Sequence, residues 1–304
     1  MKLNCLVDFR RLMDDPVYRA HIQRFHSITF THWPKAADDY DLMRRCHDWA
    51  RGRGIEVRGK AFFFTRGCAK DPAKAQAKWD AMAKRLEQIT KDFDCCLWEV
   101  AAEAWSTASE SRHCDWSIDQ AEVWVEQAFR LYSRLTDAPL YYADFGAYHP
   151  GKIQHGVIPA LTRMKDRGAR VDGFSLQLAS SLFPRIPAAW VCAITQQAQA
   201  SGLDVEWPEN IAWDVVGRWR QITPQQLGPA VEKRQAQIYR DFQRIAVELG
   251  IERSSVWFPW QGFAYHWKWN STTRQRQSSD CGLWKEDWSP KPALEVMEPF
   301  LQSP

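Results

Sequence analysis

The segment that decides the fold reads "FDCCLWEVAAEAWS" and covers residues 93–106. Its apolar part, residues 95–100, has the length and composition of a buried strand. Glu103 follows this run, with Trp98 and Trp105 on either side. A single acid after a strand is most often a solvated loop charge. A catalytic role for Glu103 therefore requires a second carboxylate in an equivalent place.

Short apolar runs of the same kind recur along the chain. Besides residues 95–100, they predict strands at 3–9, 27–30, 55–64, 140–145, 173–178, 204–207 and 254–260. Helical patterns separate them, such as 39–54 with Asp39 as a possible N-cap, and 225–249 with Gly250 as terminator. Eight strands alternating with helices over residues 1–304 predict one domain of the α/β class, a single (β/α)8 TIM barrel. The alternative, a doubly wound open sheet, lacks its GxGxxG motif after the first strand.

Composition narrows the classes of partner. The 40 Lys and Arg are scattered and the net charge is only +3, which argues against a nucleic-acid partner. No window approaches the roughly 20 apolar residues that span a bilayer, so no membrane partner is expected. The N-terminal segment does not resemble a signal peptide, which predicts a cytoplasmic protein as written, or a secreted one if a signal has been removed.

Cysteine usage gives no sign of a metal site. The eight Cys contain no CxxC pair, so neither a metal nor a cofactor is predicted. Free thiols are favoured, although a disulfide between Cys114 and Cys281 is left open. The 17 Trp either fill the core or line a sugar-binding cleft.

In a barrel of this kind, the loops that follow the strands form the active site. Glu103 follows the fourth predicted strand, and Glu209 follows the seventh, with Trp207 nearby. Two carboxylates across an aromatic mouth suit retaining glycoside hydrolysis, in which one acts as acid/base and the other attacks the anomeric carbon. Glu99 is the rival for Glu103, because a four-residue offset in a strand preserves facing.

Several segments, in order, resemble glycoside hydrolase family 10, the xylanase family. They are "FHSITFTHWPK" (25–35), "IEVRGKAFFF" (55–64), "LWEVAAEAW" (97–105), "RVDGFSLQ" (170–177), "ASGLDVEWPENI" (200–211), "SVWFPWQG" (255–262) and "SPKPALEVMEPFL" (289–301). The resemblance implies a retaining glycosidase barrel with Glu103 as acid/base and Glu209 as nucleophile. It implies an oligo- or polysaccharide partner with β linkages. With the positions at the predicted mouth, it gives a candidate substrate-binding set of His32, Lys35, Lys60, Trp98, Asp144, Gln177, Trp207, Trp257 and Trp260.

Other positions depart from the family pattern. The family's Asn before the acid/base falls on Ala102, and its two His near the third strand fall on Lys60 and Thr65. Its His after the sixth strand falls on Ala179. These replacements predict retained chemistry with a rebuilt sugar pocket, so the expected substrate is not plain xylan. The alternative is a non-catalytic carbohydrate-binding protein on a degenerate glycosidase barrel.

Overall fold

The computed structural model describes residues 1–30, 37–60, 63–64, 72–105, 118–145, 148–183, 185–216, 220–221, 229–257, 259–260, 265–270, 275–279 and 282–302. Its centre is a parallel sheet made of β1 (Lys2–Val7), β2 (Ser27–Phe30), β3 (Glu56–Arg58), β4 (Phe63–Phe64), β5 (Trp98–Ala102), β6 (Leu140–Phe145), β7 (Gly173–Phe183), β8 (Asp204–Val216) and β10 (Arg253–Val256). The short β9 (Arg220–Gln221) pairs antiparallel with β8, and β11 (Tyr265–Asn270) forms a hairpin with β12 (Gln275–Ser279).

The sheet curls into a nearly closed barrel of eight strands. Its order is β3-β2-β1-β10-β8-β7-β6-β5-β4, and β3 and β4 share the third barrel position. The remaining gap narrows at Gly59, which bridges to Trp98 and donates its N–H to the Leu97 carbonyl at 2.9 Å. A Cβ at position 59 would lie 2.2 Å from the Trp98 ring, so glycine permits this close approach. The predicted (β/α)8 barrel is confirmed.

Helices pack around the outside of the barrel. The longer ones are α3 (Ala37–Arg51), α4 (Pro72–Asp92), α5 (Ile118–Tyr132), α7 (Ile158–Asp166), α8 (Ala188–Ala200) and α9 (Pro229–Glu248). Shorter ones are α1 (Phe9–Asp14), α2 (Pro16–Ile22), α6 (Pro150–Lys152), which continues as a π-helical turn over Ile153–Val157, and α10 (Pro292–Met297), which continues as a 3-10 turn over Glu298–Phe300. Within the described chain, no helix is both long and apolar enough to cross a membrane.

The predicted element limits are partly right. The strands at 27–30 and 140–145 have the predicted bounds, and Gly250 follows α9 with φ of +68°, as expected of a helix terminator. Asp39 is not an N-cap, since α3 already begins at Ala37. The sixth and seventh barrel strands run well beyond their predicted ends, to Phe183 and Val216.

A charged cluster fills the barrel interior below the mouth. Arg58 donates through Nη2 to Glu99 Oε2 at 3.0 Å and through Nε to Glu206 Oε1 at 3.1 Å, and all three side chains are buried. Burial disfavours the guanidinium charge, but Glu206 and Glu99 outweigh it and raise the pKa of Arg58. The cluster therefore keeps buried charges paired.

Candidate active site

Two barrel strands bring the predicted carboxylates to the same region. β5 ends at Ala102, and Glu103 is the next residue, with its N–H donated to the Ala143 carbonyl on β6 at 3.0 Å. Glu209 lies on β8, three strands away around the barrel. The two carboxyl groups are close enough that Glu103 contributes to raising the pKa of Glu209. The structure thus brings the predicted pair together.

A β-bulge aims Glu209 into the barrel. Three steps along β7, from Ser175 to Leu178, match four steps along β8, from Glu206 to Asn210, and the pairing of β8 with β10 shows the same one-residue shift. The extra residue therefore falls at Pro208 or Glu209, where a proline without an N–H is tolerated. Because of it, Glu206 and Glu209 both reach interior partners although they are three residues apart.

Glu103 adopts an unusual backbone conformation. Its φ of +55° lies in the left-handed region, which costs a residue with a side chain about 1–2 kcal/mol. Strain of this kind persists only where neighbouring contacts enforce it, and it is common at active sites. Here the left-handed residue turns the chain at the end of β5, so that Glu103 does not continue the regular strand to which Glu99 belongs.

Three features set the charge of Glu209. Its side chain is 14% exposed, and burial raises its pKa to about 7, while Lys60 acts in the opposite direction. Lys60 Nζ lies 3.3 Å from Glu209 Oε1, and the Gln177 amide donates to the same oxygen at 3.2 Å. The carboxylate therefore has two fixed donors, which hold Oε1 in place.

Trp257 forms part of the same group. The Lys60 ammonium lies 4.0 Å from the centroid of the Trp257 ring, a cation–π contact, and the ring is 8% exposed. Among the predicted substrate-binding residues, the structure therefore brings Lys60, Gln177 and Trp257 to Glu209. His32 and Lys35 lie outside the described residues.

Trp98 and Trp207 do not reach this group. Trp98 is 1% exposed and contacts the ring of Tyr132 on α5, while Trp207 is fully buried against Phe242 on α9. Trp98 precedes Glu99 and Trp207 follows Glu206, and both glutamates point into the barrel. Because successive side chains of a strand alternate in direction, the two indoles point outward to the helices. The two rings pack between sheet and helices and are not at the mouth.

Asp144 and Trp260 are also enclosed. Asp144 is fully buried, with Lys152 Nζ 2.7 Å from Oδ1 and the Tyr142 hydroxyl donating to Oδ2 at 2.7 Å. Trp260 is 6% exposed, stacks on Trp288 at 4.9 Å and donates its indole N–H to a backbone carbonyl. Both side chains are committed to protein partners.

Glu99, the rival to Glu103, lies deep in the barrel. It is fully buried and paired with Arg58, so it does not reach the mouth. Sequence reasoning missed Arg58, although two acids in apolar strands signal a buried cation. It also missed Tyr142 and Lys152, for which the sequence offers no signal, because the contacts join residues on different elements.

The described residues hold no cluster of three or more His, Cys, Asp or Glu that would bind a metal ion. The five described cysteines, among them Cys5 and Cys95, are free thiols, while Cys114 and Cys281 fall outside the described chain. A (β/α)8 barrel that brings two glutamates to one region, one of them buried and held by donors, is the arrangement that retaining glycoside hydrolases use.

The family model of glycosyl hydrolase family 10 matches residues 34–299. The chain belongs to this family, and it is a retaining glycoside hydrolase of β-linked glycans. The resemblance seen in the sequence is confirmed. A comparison with curated proteins finds no match.

Solved structures with the same fold include several xylanases. A thermostable mutant of a xylanase from Cellvibrio japonicus superposes with a TM-score of 0.81 at 16% identity, covering 100% of this chain and 98% of that one. A GH10 endoxylanase from a sugarcane soil metagenome gives 0.79 at 16% identity, with 98% and 96% covered. A mutant of xylanase 10C from Cellvibrio japonicus, in complex with xylopentaose, gives 0.77 at 16% identity, with 99% and 67% covered.

Proposed function

We propose that this chain cleaves β-linked oligo- or polysaccharides by double displacement, with Glu209 as nucleophile and Glu103 as acid/base. The observation that carries the proposal is the environment of Glu209, whose Oε1 is held by Lys60 and Gln177 beside Glu103. Glu209, ionised, attacks the anomeric carbon while Glu103 protonates the leaving oxygen; Glu103 then activates the water that releases the sugar.

Substitution of each glutamate tests whether both are needed for hydrolysis. Glu103→Gln is expected to lower hydrolysis of unactivated substrates at least about 10²-fold, since general acid–base catalysis contributes 10²–10⁴-fold. Glu209→Gln should lower it at least as much, because it removes the carboxylate that forms the covalent intermediate. Glu87→Gln, a change at an exposed acid on α4, is the control and keeps full activity. Full activity in either active-site variant would exclude the assignment.

Azide distinguishes the nucleophile from the acid/base. With an activated aryl β-glycoside, Glu103→Gly still forms the glycosyl-enzyme, and azide attacks it to give the β-glycosyl azide. In Glu209→Gly, azide occupies the space of the missing carboxylate and gives the α-glycosyl azide. The configuration is read from the anomeric proton by NMR. The opposite pair of products would reverse the two roles, and a chain that binds glycans without turnover would give neither.

We further propose that the preferred substrate is not plain xylan. A sugar whose anomeric carbon Glu209 attacks also lies beside the Lys60 ammonium, only 3.3 Å from the attacking carboxylate. Lys60 and Ala102 stand where the resembling family has His and Asn, which supports a different group near the 2-position of the sugar or an anionic group near Lys60.

A panel of 4-nitrophenyl β-glycosides tests this substrate proposal. The panel compares β-xyloside with β-glucuronide, 2-acetamido-2-deoxy-β-glucoside and 2-O-sulfated analogues. We expect the highest kcat/KM on a sugar with an anionic group or an altered 2-substituent, and Lys60→Met to remove the advantage of an anionic sugar. A clear preference for the plain xyloside would contradict the substrate proposal and leave the two-glutamate mechanism standing.

A further inference from the structure

The turn at Glu103 is tied to a buried ion pair on the next strand. The residue after Glu103, Ala104, donates its backbone N–H to the Tyr142 hydroxyl oxygen at 2.7 Å. Tyr142 in turn donates its proton to Asp144 Oδ2 at 2.7 Å, and Lys152 Nζ lies 2.7 Å from Asp144 Oδ1. These contacts form one continuous chain from α6 to the backbone beside Glu103.

The direction of each hydrogen bond follows from charge. Asp144 is fully buried, and burial raises its pKa to about 6, against the opposing effect of Lys152. The Lys152 ammonium 2.7 Å from Oδ1 favours the ionised carboxylate, whose oxygens only accept hydrogen bonds. The Tyr142 proton is therefore committed to Asp144, which leaves the lone pairs of its oxygen to the backbone amides of Ala104 and Trp105. Burial and then Asp144 raise the pKa of Tyr142, so the phenol keeps its proton.

The same residues are rigidly packed. Trp105 contacts the Tyr142 ring edge-on at 4.9 Å, and Lys152 also donates to the Phe145 carbonyl at 3.1 Å and lies over the Phe145 ring. The described part of the mouth thus offers the left-handed turn at Glu103 a fixed anchor on each side, the Ala143 carbonyl before it and the Tyr142 hydroxyl after it.

We propose that Lys152, Asp144 and Tyr142 form a positioning relay that holds the left-handed backbone of Glu103 and sets the direction of its carboxyl group. This inference rests on the proposed role of Glu103 as acid/base. It gives Asp144 a positioning role in place of the predicted contact with substrate. The relay acts on catalysis only through Glu103, so its loss impairs the steps that need the acid/base and spares those that do not.

The test compares Tyr142→Phe with Tyr141→Phe. Both changes remove one phenolic hydroxyl from neighbouring residues of β6, but Tyr141 donates to Asp204 at the start of β8, whereas Glu103 follows the end of β5. Kinetics are measured on two aryl β-glycosides of one sugar. The 2,4-dinitrophenolate departs without a proton, whereas phenolate requires one.

For Tyr142→Phe, we expect kcat/KM on the phenyl glycoside to fall by about 10- to 100-fold, the scale of a displaced catalytic group. On the dinitrophenyl glycoside, kcat/KM should change by less than about threefold, and azide should accelerate turnover. Tyr141→Phe should keep the wild-type ratio between the substrates. An equal loss on both substrates, or no loss on either, would overturn the relay.

A second measurement does not depend on activity. Hydrogen exchange of the Ala104 amide should become faster in Tyr142→Phe than in the wild type and in Tyr141→Phe, at equal global stability. Unchanged exchange of the Ala104 amide would refute the relay even if the two substrates respond as expected. If the wild type hydrolyses no glycoside, the proposed function fails, while the exchange result still decides whether Tyr142 holds the turn.

Discussion

Lys60 combines two contacts that a surface lysine does not make. Its ammonium lies against the Trp257 ring and 3.3 Å from Glu209 Oε1, with 13% of the side chain exposed. Among the described residues, the groups that act on Glu209 include this cation, the Gln177 amide, and the acids Glu103 and Glu99, which raise its pKa. Among the described residues, Lys60 is therefore a cation that opposes the effect of burial on the pKa of Glu209 and favours its ionised form.

Replacement of Lys60 is expected to shift the pH profile. The acidic limb of kcat/KM should report Glu209 and have its midpoint near pH 7 in the wild type, because Glu209 attacks only when ionised. In Lys60→Met, the midpoint should move to higher pH by about 1 unit or more, the effect of losing a close opposite charge. Lys285→Met, which removes a more exposed lysine paired with Glu232, should leave the limb in place. An unshifted limb in Lys60→Met would contradict this role.

At the level of elements, alternation and bulges determine which side chains reach the mouth. The repeat of strands and helices was enough to predict the barrel, and the position of Glu103 at a strand end was readable from the apolar run. Trp98 and Trp207 were misplaced because proximity in sequence was given more weight than strand alternation, which turns neighbours to opposite faces.

The place of Glu209 was harder to predict from the sequence. The strand was predicted to end at residue 207, whereas β8 continues to Val216 through a bulge. A bulge depends on how two neighbouring strands pair, and single-strand patterns do not contain that pairing. The relay through Tyr142 and Lys152 was unpredictable for the same reason, because it joins three elements across the fold.

The chain after β3 approaches β5 closely at Gly59, and a larger side chain there should lower stability. Gly59→Ala places a methyl group 2.2 Å from the Trp98 ring, so the strands must separate, and we expect a loss of about 1–3 kcal/mol in the free energy of unfolding. Gly156→Ala is the matched control. No atom lies within 4 Å of its added Cβ, and alanine favours helix there.

Urea denaturation of both variants measures the difference. Gly59→Ala should lower the midpoint with an unchanged m value, while Gly156→Ala should equal or exceed the wild type. Equal stability of the two variants would show that the Trp98 ring moves aside without cost.

Folding of the whole molecule buries several carboxyl groups inside the barrel, away from water. Glu99 and Glu206 are compensated by Arg58, but Glu209 retains a pKa of about 7 in spite of Lys60, well above the 4.5 of an exposed glutamate. The folded state therefore binds a proton more tightly than the unfolded chain does. The stabilisation from this proton is complete below about pH 4.5 and is lost as the pH rises through 7.

Ionisation of buried Glu209 at higher pH lowers the stability of the folded state, and Glu209→Gln should remove this loss. The difference between pKa values of 4.5 and about 7 corresponds to about 3 kcal/mol at alkaline pH, which sets the upper limit of the gain. In thermal unfolding, the Tm of the variant minus that of the wild type should increase as the pH rises from 5 to 8. A difference that stays constant over this range would mean that the pKa of Glu209 is not raised by folding.

The left-handed backbone of Glu103 also bears on how such a sequence changes over generations. Glycine would occupy position 103 without the steric penalty that glutamate carries, and glutamine at 209 would avoid a buried charge. Selection keeps a protein above a stability threshold and does not drive it to the most stable sequence, so residues that carry a cost persist where function needs them. On the proposed mechanism, turnover is the function that would hold both glutamates in place against this cost.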